Sequence, residues 1–497
     1  MVRIRGIQRA VLRAALGSVV LLTIAGPAAA PLGAQTAPDR SAPPELGPPP
    51  SLRLPPIDRF ELSNGLPVIL MEKRGIPIVH VSLLVRAGLV DDPPAKYGLA
   101  AMTADMMDEG AGDLDALQLA DAIDFLGADL SVGAGTHTSG VRLFTPVSRL
   151  ETALTLMADV ALRPTFPEAE LDRLRVEELT ALLQARDEAR TIATRHFEST
   201  VFPDGHPYGV FADEAALRSL SRTDLAGFHD RLYRPENAAI IVVGDVDADL
   251  MLPMLEATFG GWEGGSAQPA TVETASQVRG RTIYLIDKPG AAQSEIRIGR
   301  VGVHRLHEDY FAIQVMNTIL GGSFTSRLNA NLREDKGYSY GAGSGFTMLP
   351  AAGPFIAGAA VQTDVTDKAL MEFVKELRAI RESVTEEELT RARNYVALRY
   401  PGRFQTVSSI ASRLGDAYLY DLPHNYFNDY VDNVLAVTMD DVYRVARELI
   451  DPDHIAVVIV GDREKIEPGL RALALADIEI LSIEDVLGPA PDLGGSE

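Results

Sequence analysis

A nine-residue pattern occurs twice in the chain, once in each half. Residues 237–245 read NAAIIVVGD and residues 454–462 read HIAVVIVGD. Each copy is a short apolar run that ends in Gly-Asp, which predicts a buried strand followed by a helix. Upstream of each copy lies a helical pattern of similar length, at residues 222–233 and 439–449. The repeat predicts a duplicated α+β domain.

The length and composition agree with a two-domain chain. A chain of 497 residues, 46% of them hydrophobic, can bury at least two cores. A Gly-, Ser-, Ala- and Thr-rich stretch near residues 260–277 predicts the interdomain linker. The expected division is a signal peptide at 1–34, a Pro-rich arm at 35–56, an N-terminal domain at 57–262, a linker at 263–277 and a C-terminal domain at 278–485.

The N-terminus has the three parts of a secretory signal. Four arginines precede an apolar run at residues 14–24, and small residues follow as far as Ala34, where we expect cleavage. The alternative is an uncleaved anchor, although the run is shorter than the ~20 residues that a membrane-spanning helix needs. We therefore expect a periplasmic protein with no stable membrane span.

Charge and cysteine content exclude several classes of protein. The chain has no cysteine, so it is neither a disulfide scaffold nor a lipoprotein attached through an N-terminal Cys. It carries 46 basic and 69 acidic residues, and removing the four signal arginines leaves 42 against 69, a net charge of −27. This excess of negative charge argues against nucleic acid, itself negatively charged, as a partner.

The first domain reads as strands followed by helices. Asn64-Gly65 between two apolar runs is the strongest short signal for a hairpin, and it predicts paired strands within residues 60–70. The remaining predicted strands are 79–85, 130–133 and 141–145, and the predicted helices are 97–107, 116–126, 147–162 and 167–186. This order favours a mixed or antiparallel sheet.

Residues 98–106, GLAAMTADM, have the frame of a zinc-binding helix without its ligands. Two His at i and i+4 share one face of a helix and can hold zinc beside a catalytic Glu. The segment resembles the insulinase, or pitrilysin-like, peptidase family, whose members have an inverted H-x-x-E-H motif in a G-L-A-H-x-x-E-H-M context. The matching positions here are Ala101, Ala104 and Asp105.

In that family the distal zinc ligand is a Glu about seventy-five residues after the second His. The count from Asp105 reaches Ala181, so the resemblance implies that every metal position is empty. A shift in register would bring Glu177 or Glu178 to the position instead; otherwise they are solvated helix carboxylates. One carboxylate beside alanines lacks the three protein ligands of catalytic zinc. We expect no metal and no other cofactor in this chain.

The second domain carries the fullest match, LGGSFTSRLNANLREDKGYSYG at residues 320–341. It resembles the C-terminal half of the same family, where an Arg and a Tyr contact substrate near the metal. The matching residues are Arg333 and Tyr340. Both can donate to a peptide carbonyl that gains negative charge. The alternative is structural: Arg333 pairs with Glu334 or Asp335, and Tyr340 starts a strand.

The resemblance spans residues 57–480 and implies the fold class: α+β, with two homologous domains of mixed sheet and helices in tandem, the mitochondrial-processing-peptidase/LuxS-like metallohydrolase fold. Some bacterial members are split into two chains, one with the metal motif and one with the Arg/Tyr pair. The leading hypothesis is thus a non-catalytic subunit of a periplasmic heterodimeric zinc peptidase. It would bind peptides along a sheet edge and act with a homologous zinc-bearing partner.

Two other functions stay open. The chain could be a peptide-binding or assembly protein without an enzymatic partner. It could also be a metallopeptidase with atypical ligands, for which the only dense group is His304, His307 and Glu308. Alone, on the leading hypothesis, the chain is inactive.

Overall fold

The computed structural model describes residues 52–203 and 205–493. The predicted signal peptide and residues 35–51 of the predicted arm lie outside this part of the chain. No helix within it combines the length and the apolar character needed to cross a bilayer.

The secondary structure alternates short groups of strands and helices. The strands are β1 Asp58–Glu61, β2 Pro67–Glu72, β3 Ile78–Val85, β4 Gly110–Ala111, β5 Leu114–Asp115, β6 Asp129–Ala134, β7 Ser139–Pro146, β8 Ala238–Gly244, β9 Arg281–Asp287, β10 Gln293–Val301, β11 Ser339–Phe346, β12 Pro354–Gln362, β13 Ile455–Gly461 and β14 Asp477–Leu481. The helices are α1 Leu99–Asp105, α2 Ala116–Leu126, α3 Leu150–Leu162, α4 Glu168–Ala185, α5 Ala189–Val201, α6 Glu214–Ser219, α7 Arg222–Leu232, α8 Ala248–Phe259, α9 Tyr310–Leu320, α10 Arg327–Asn329, α11 Thr366–Ala379, α12 Glu386–Arg399, α13 Val407–Leu419, α14 Tyr426–Ala436, α15 Met439–Leu449, α16 Arg463–Ala472 and α17 Ile483–Leu487.

Two six-stranded sheets have the same topology. The first has the order β6-β7-β3-β8-β2-β1 and the second β11-β12-β10-β13-β9-β14. The two Gly-Asp strands, β8 and β13, occupy equivalent places: each is antiparallel to one neighbour and parallel to the other. The sheets differ at one edge, where β1 is antiparallel to β2 but β14 is parallel to β9. The predicted fold class, two homologous mixed-sheet domains, is confirmed.

Local sequence accounts for the hairpin and for the central strands. Gly65 takes a positive φ of 84° at the turn, which glycine adopts without a steric penalty, and β1 pairs with β2 on either side of it. Every residue of β8 and of β13 is buried. A strand covered on both faces is apolar throughout rather than alternating, which explains the two uninterrupted runs.

Each of these central strands is covered on one face by a helix from the other half of the molecule. We call β1–β8 with α1–α8 the first half and β9–β14 with α9–α17 the second half. Helix α5 of the first half packs on β10 and β13 of the second sheet, and α13 of the second half packs on β3 and β8 of the first sheet. The halves therefore exchange helices.

Close contacts show how tightly the exchanged helices fit. Phe197 of α5 is fully buried against Gly299 of β10, where a Cβ would lie 2.8 Å from the Phe197 ring. On the other side, a Cβ at Gly415 of α13 would lie 3.5 Å from Ile241. Tyr418 of α13 donates its hydroxyl to the carbonyl of Ala238, 2.9 Å away. One hydrophobic core consequently contains residues from both sheets.

The interval between the sheets, residues 260–280, contains neither helix nor strand. The predicted linker lies inside it, and the first sheet precedes it while the second follows. All described residues nevertheless fall in a single compact unit, because the packed core crosses this interval. The predicted boundaries at 262 and 278 stay predictions.

Replacing Phe197 with Ala should destabilise the whole molecule. The side chain joins the core between α5 and the second sheet, and truncating a buried Phe costs about 3–5 kcal/mol through lost burial and the cavity left behind. Denaturant unfolding followed by circular dichroism measures the change. Ser199→Ala, an exposed position on the same helix, is the control. Equal unfolding midpoints for the two variants would contradict the assigned role of α5.

Candidate functional site

A cavity of about 290 Å³ lies beside helix α1, at the junction of the two halves. The first half contributes residues from α1, α4 and α5, and the second half contributes the segment around residues 347–354. The lining includes Ala101, Asp105, Glu178, Glu198, Tyr208 and Leu349.

The start of α1 is held in place by a carboxylate. Gly98 caps the helix with φ 95°, and Asp92 accepts hydrogen bonds from the backbone N–H groups of Gly98 at 2.7 Å and Ala100 at 2.8 Å. These bonds satisfy two donors that a helix start leaves without an intrahelical partner. Because residues four apart share a helix face, Ala101 and Asp105 both line the cavity.

The other two predicted metal positions lie elsewhere. Ala104 is fully buried in the interior and is not part of the cavity wall. Ala181 is exposed on α4 and is also outside the wall, whereas Glu178, almost one turn earlier, lines it. Of the distal positions that the sequence offers, Glu178 therefore faces the cavity and Ala181 does not.

The cavity is acidic, and two of its carboxyl groups, those of Asp105 and Glu198, have raised pKa values. The surrounding protein, followed by the nearby charge of Glu178, raises the pKa of Asp105 to about 6. Burial raises the pKa of Glu198 to about 7, and the positive charge of Arg195 partly offsets that effect. The Arg195 guanidinium in turn lies 5.2 Å from the centre of the Phe211 ring.

These residues do not fit zinc. Catalytic zinc takes three protein ligands, usually with His among them, whereas Asp105, Glu178 and Glu198 are all carboxylates and Ala101 offers no donor. Within residues 52–203 and 205–493, no group of three His, Cys, Asp or Glu side chains is placed to hold a metal ion.

The atypical ligand group also fails to form a site. His304 and His307 have ring centroids 5.8 Å apart on a turn that precedes α9. The Nδ1 of His307 accepts the backbone N–H of Asp309, and Asp309 is paired with Arg444. The described residues add no third ligand to the two histidines.

Tyr208 is a cavity residue that the sequence alone did not identify. Its hydroxyl lies 2.6 Å from Nε2 of His137 and accepts the backbone N–H of Ala351 at 3.3 Å, which ties the turn to the second half. His206, two residues earlier, accepts the backbone N–H of Tyr208 through Nδ1. The only sequence signal at this place is the His-Pro-Tyr-Gly pattern at 206–209, which predicts a turn and no more.

Arg333 and Tyr340 lie together, in a depression separate from the cavity. Both line a pocket of about 410 Å³ at the start of β11. Arg333 belongs to a π-helical segment, Ala330–Asp335, that follows α10. Tyr340 is 92% exposed, so its hydroxyl is free to meet another molecule.

Some of the contacts expected if Arg333 and Tyr340 had a purely structural role are present. Nε of Arg333 lies 3.5 Å from Glu334, and Tyr340 is the second residue of β11. The Arg333 guanidinium also lies 4.5 Å from the centre of the Phe324 ring, a cation–π contact. The Arg333 side chain still keeps 36% of its surface exposed, so these contacts orient the guanidinium without enclosing it.

Comparisons with known proteins point to one family. The model described as Insulinase (Peptidase family M16) matches residues 68–207, and the model described as Peptidase M16 inactive domain matches residues 219–396. A Mycobacterium leprae protein named an uncharacterized zinc protease is 26% identical over 410 residues, 81% of this chain and 91% of that protein. A Helicobacter pylori protein named a non-peptidase homolog is 21% identical over 406 residues, 80% of this chain and 93% of that protein.

Solved structures similar to this chain carry titles that also point to peptidases. The crystal structure of a peptidase M16 inactive domain from Pseudomonas fluorescens superposes with a TM-score of 0.76 at 25% identity, and the match covers 82% of this chain and 98% of that chain. A protease from Helicobacter pylori has the same fold, with a TM-score of 0.74 at 20% identity.

Replacing Glu198 with Gln should change how stability depends on pH. In the unfolded chain Glu titrates near 4.3, whereas in the folded chain its pKa is about 7. The folded state thus binds this proton more tightly, and stability falls as pH rises from about 4 to 7. Glu198→Gln should raise the free energy of unfolding by about 1 kcal/mol at pH 8, an amount reduced for solvent screening, and leave it unchanged at pH 4. Urea unfolding at both pH values measures this, and the exposed Glu382→Gln is the control; equal effects at both pH values would contradict it.

Two histidines added to the cavity should create a zinc site. Ala101→His with Asp105→His places two ligands one turn apart, and Glu178 already faces them, which completes the three ligands that catalytic zinc requires. Metal analysis after dialysis should find roughly one zinc per chain. Adding Glu178→Ala should abolish it. If Ala181→Glu then restores binding, the assignment of Glu178 to the distal position is wrong.

Proposed function

The chain belongs to the insulinase (M16) family of peptidases, and from this premise we propose that it is the non-catalytic subunit of a periplasmic, heterodimeric zinc peptidase. The partner would be a homologous chain that carries the H-x-x-E-H motif and the zinc. This chain would bind the peptide and supply Arg333 and Tyr340 to the partner's active site.

One contrast within the molecule carries the proposal. The cavity at α1 has the place of a zinc site but a donor set that does not fit zinc. Arg333 and Tyr340, on the other half, keep exposed donors at one depression. A chain that had lost all catalytic function would have no need to present a guanidinium and a phenol side by side.

The two donors suit the stabilisation of a developing oxyanion. A guanidinium and a phenol can both donate to the carbonyl oxygen of a scissile peptide, and such donors are most effective when they are held in place before the reaction. The contacts of Arg333 with Phe324 and Glu334 provide that orientation. The partner would supply the metal and the attacking water.

Strand β11 is the part of this surface best suited to hold a peptide. It is an edge strand of the second sheet, so its outer backbone groups can pair with an extended chain by β-augmentation. It also begins one residue before Tyr340. A peptide paired along β11 would therefore pass the two donors.

The first experiment tests the division of labour. The chain is purified alone, and its zinc content and peptide cleavage are measured before and after mixing with the H-x-x-E-H homologue encoded nearest to it. We expect neither zinc nor cleavage from the lone chain, and metal-dependent cleavage from the mixture. Strong metal-dependent cleavage by the lone chain would contradict the proposal. A stable complex that forms without any zinc-bearing subunit would favour an assembly role instead.

Replacing Arg333 with Ala should slow the assembled pair. Loss of one donor to an oxyanion lowers kcat about 10²- to 10³-fold, while KM should change little because the contact strengthens in the transition state. Steady-state kinetics of the mixture measure both constants. Arg391→Ala, a half-exposed arginine on α12, is the control, and Tyr340→Phe should lower kcat in the same way. An unchanged kcat for Arg333→Ala would remove the role assigned to this residue.

A further inference from the structure

A second, larger groove begins at Tyr340 and leads to the N-terminal end of α5. Its volume is about 640 Å³, and it is lined by residues of α5, β10, β11 and β12. We call it the Arg190 groove. Tyr340 lines both this groove and the depression that contains Arg333, so the two are continuous along β11.

Glycines form part of the floor of the Arg190 groove, and the Arg297 side chain lies across one of them, Gly358. Arg297 of β10, Gly358 of β12 and Gly343 of β11 lie side by side in the register of the sheet. Gly341 and Gly345 also line the groove. At the glycines of β11 no side chain stands above the backbone, so another extended chain can approach the sheet closely there.

The wall of the groove holds two positive charges and one negative charge. Glu295 of β10 is 5% exposed, and its Oε1 lies 2.5 Å from Nη1 of Arg297 and 3.8 Å from Nε of Arg190. One carboxylate therefore sits between two guanidinium groups, which leaves a net charge of +1. Burial lowers the pKa of Arg297, the Glu295 charge opposes this, and the charge of Arg190 lowers it further. The two arginines thus repel one another.

The two arginines differ in freedom. Arg297 is fixed: its Nη1 donates to the carbonyl of Ile296 at 3.0 Å, and a Cβ at Gly358 would lie 2.7 Å from the same Nη1. Arg190, whose side chain is 76% exposed, has the 3.8 Å contact with Glu295 as its only ion pair among the described residues. Most of the Arg190 donors therefore face the groove and solvent.

We propose that the Arg190 groove binds a carboxylate carried by an extended peptide, and that Arg190 is the residue that recognises it. A guanidinium presents paired N–H donors that match the two oxygens of a carboxylate. The carboxylate would neutralise the excess positive charge of the wall and relieve the repulsion between the two arginines. The carboxylate belongs either to the C-terminus of the peptide or to an Asp or Glu side chain.

The charge of the whole chain limits what the groove accepts. The formal net charge is −23, which disfavours strongly acidic peptides at long range. A peptide with a single carboxylate at the groove is attracted by Arg190 and is repelled only weakly by the net negative charge of the chain. That the ligand is a peptide rests on the proposed function. What the groove adds is a preference for peptides that carry a carboxylate.

The test measures peptide binding to the full chain alone. Three unstructured ten-residue peptides labelled at the N-terminus with a neutral BODIPY dye are used: one whose only carboxylate is its free C-terminus, one amidated with no carboxylate, and one amidated with a single internal Glu. Fluorescence anisotropy at 50 mM salt gives Kd. The amidated peptide without a carboxylate should bind about tenfold more weakly than at least one of the others, because a hydrogen bond to a charged group is lost.

Substitutions assign the effect to Arg190. Arg190→Gln should weaken binding of the carboxylate peptides about tenfold and leave the uncharged peptide unchanged. Arg190→Lys keeps the positive charge but loses the paired N–H donors of the guanidinium. Its Kd for the carboxylate peptides should lie between that of the unsubstituted chain and that of Arg190→Gln. Arg391→Gln on α12 is the control, and circular dichroism verifies that each variant is folded.

Each outcome distinguishes the inference from the function on which it rests. Preference for the free C-terminus or for the internal Glu identifies the source of the carboxylate, and either supports the inference. Peptides that bind equally well with or without a carboxylate, or that ignore Arg190→Gln, overturn it while peptide binding stands. Absence of any binding also overturns it, whereas the role of Arg333 is judged separately by the kcat of the assembled pair.

Discussion

The exchange of α5 and α13 between the halves is the interaction on which the rest of the structure depends. Strands β8 and β13 are buried on both faces because each sheet receives a helix from the other half. Neither sheet could remain so apolar if it stood alone, since an uncovered apolar face would be exposed to water. The duplicated domain is thus two copies of one topology in which each copy completes the core of the other.

Helix α5 also places one polar residue at the cavity and another at the groove. Phe197 anchors it to the second sheet, Glu198 faces the cavity, and Arg190 stands at the groove. Because one rigid helix carries all three, the packing that joins the halves also sets the distance between the acidic cavity and the positive groove. The two sets of polar residues lie in different halves: Asp105, Glu178 and Glu198 line the cavity in the first half, and Arg333 and Tyr340 line the depression in the second.

Prediction from sequence succeeded where local interactions decide the structure. The Asn64-Gly65 hairpin, the two Gly-Asp strands and the helix at residues 116–126 follow from turn preferences and from periodicity, which act over a few residues. The positions of Ala101 and Asp105 on one face of α1 follow in the same way. The distal position is different: a count across some seventy residues assumes that every loop has the length typical of the family, and only the structure shows that Glu178, and not Ala181, lines the cavity.

By itself the sequence determined the duplication and the α+β class, since these follow from a repeat and from short-range patterns, whereas the metal positions were assigned through the resemblance to a family. Only the tertiary structure decided which carboxylates share the cavity, that Tyr208 ties the cavity to the second half, and that Arg190 meets Glu295 and Arg297. Arg190 lies more than one hundred residues before its two neighbours. Contacts of that kind arise from the packing of whole elements, and no local pattern in the chain records them.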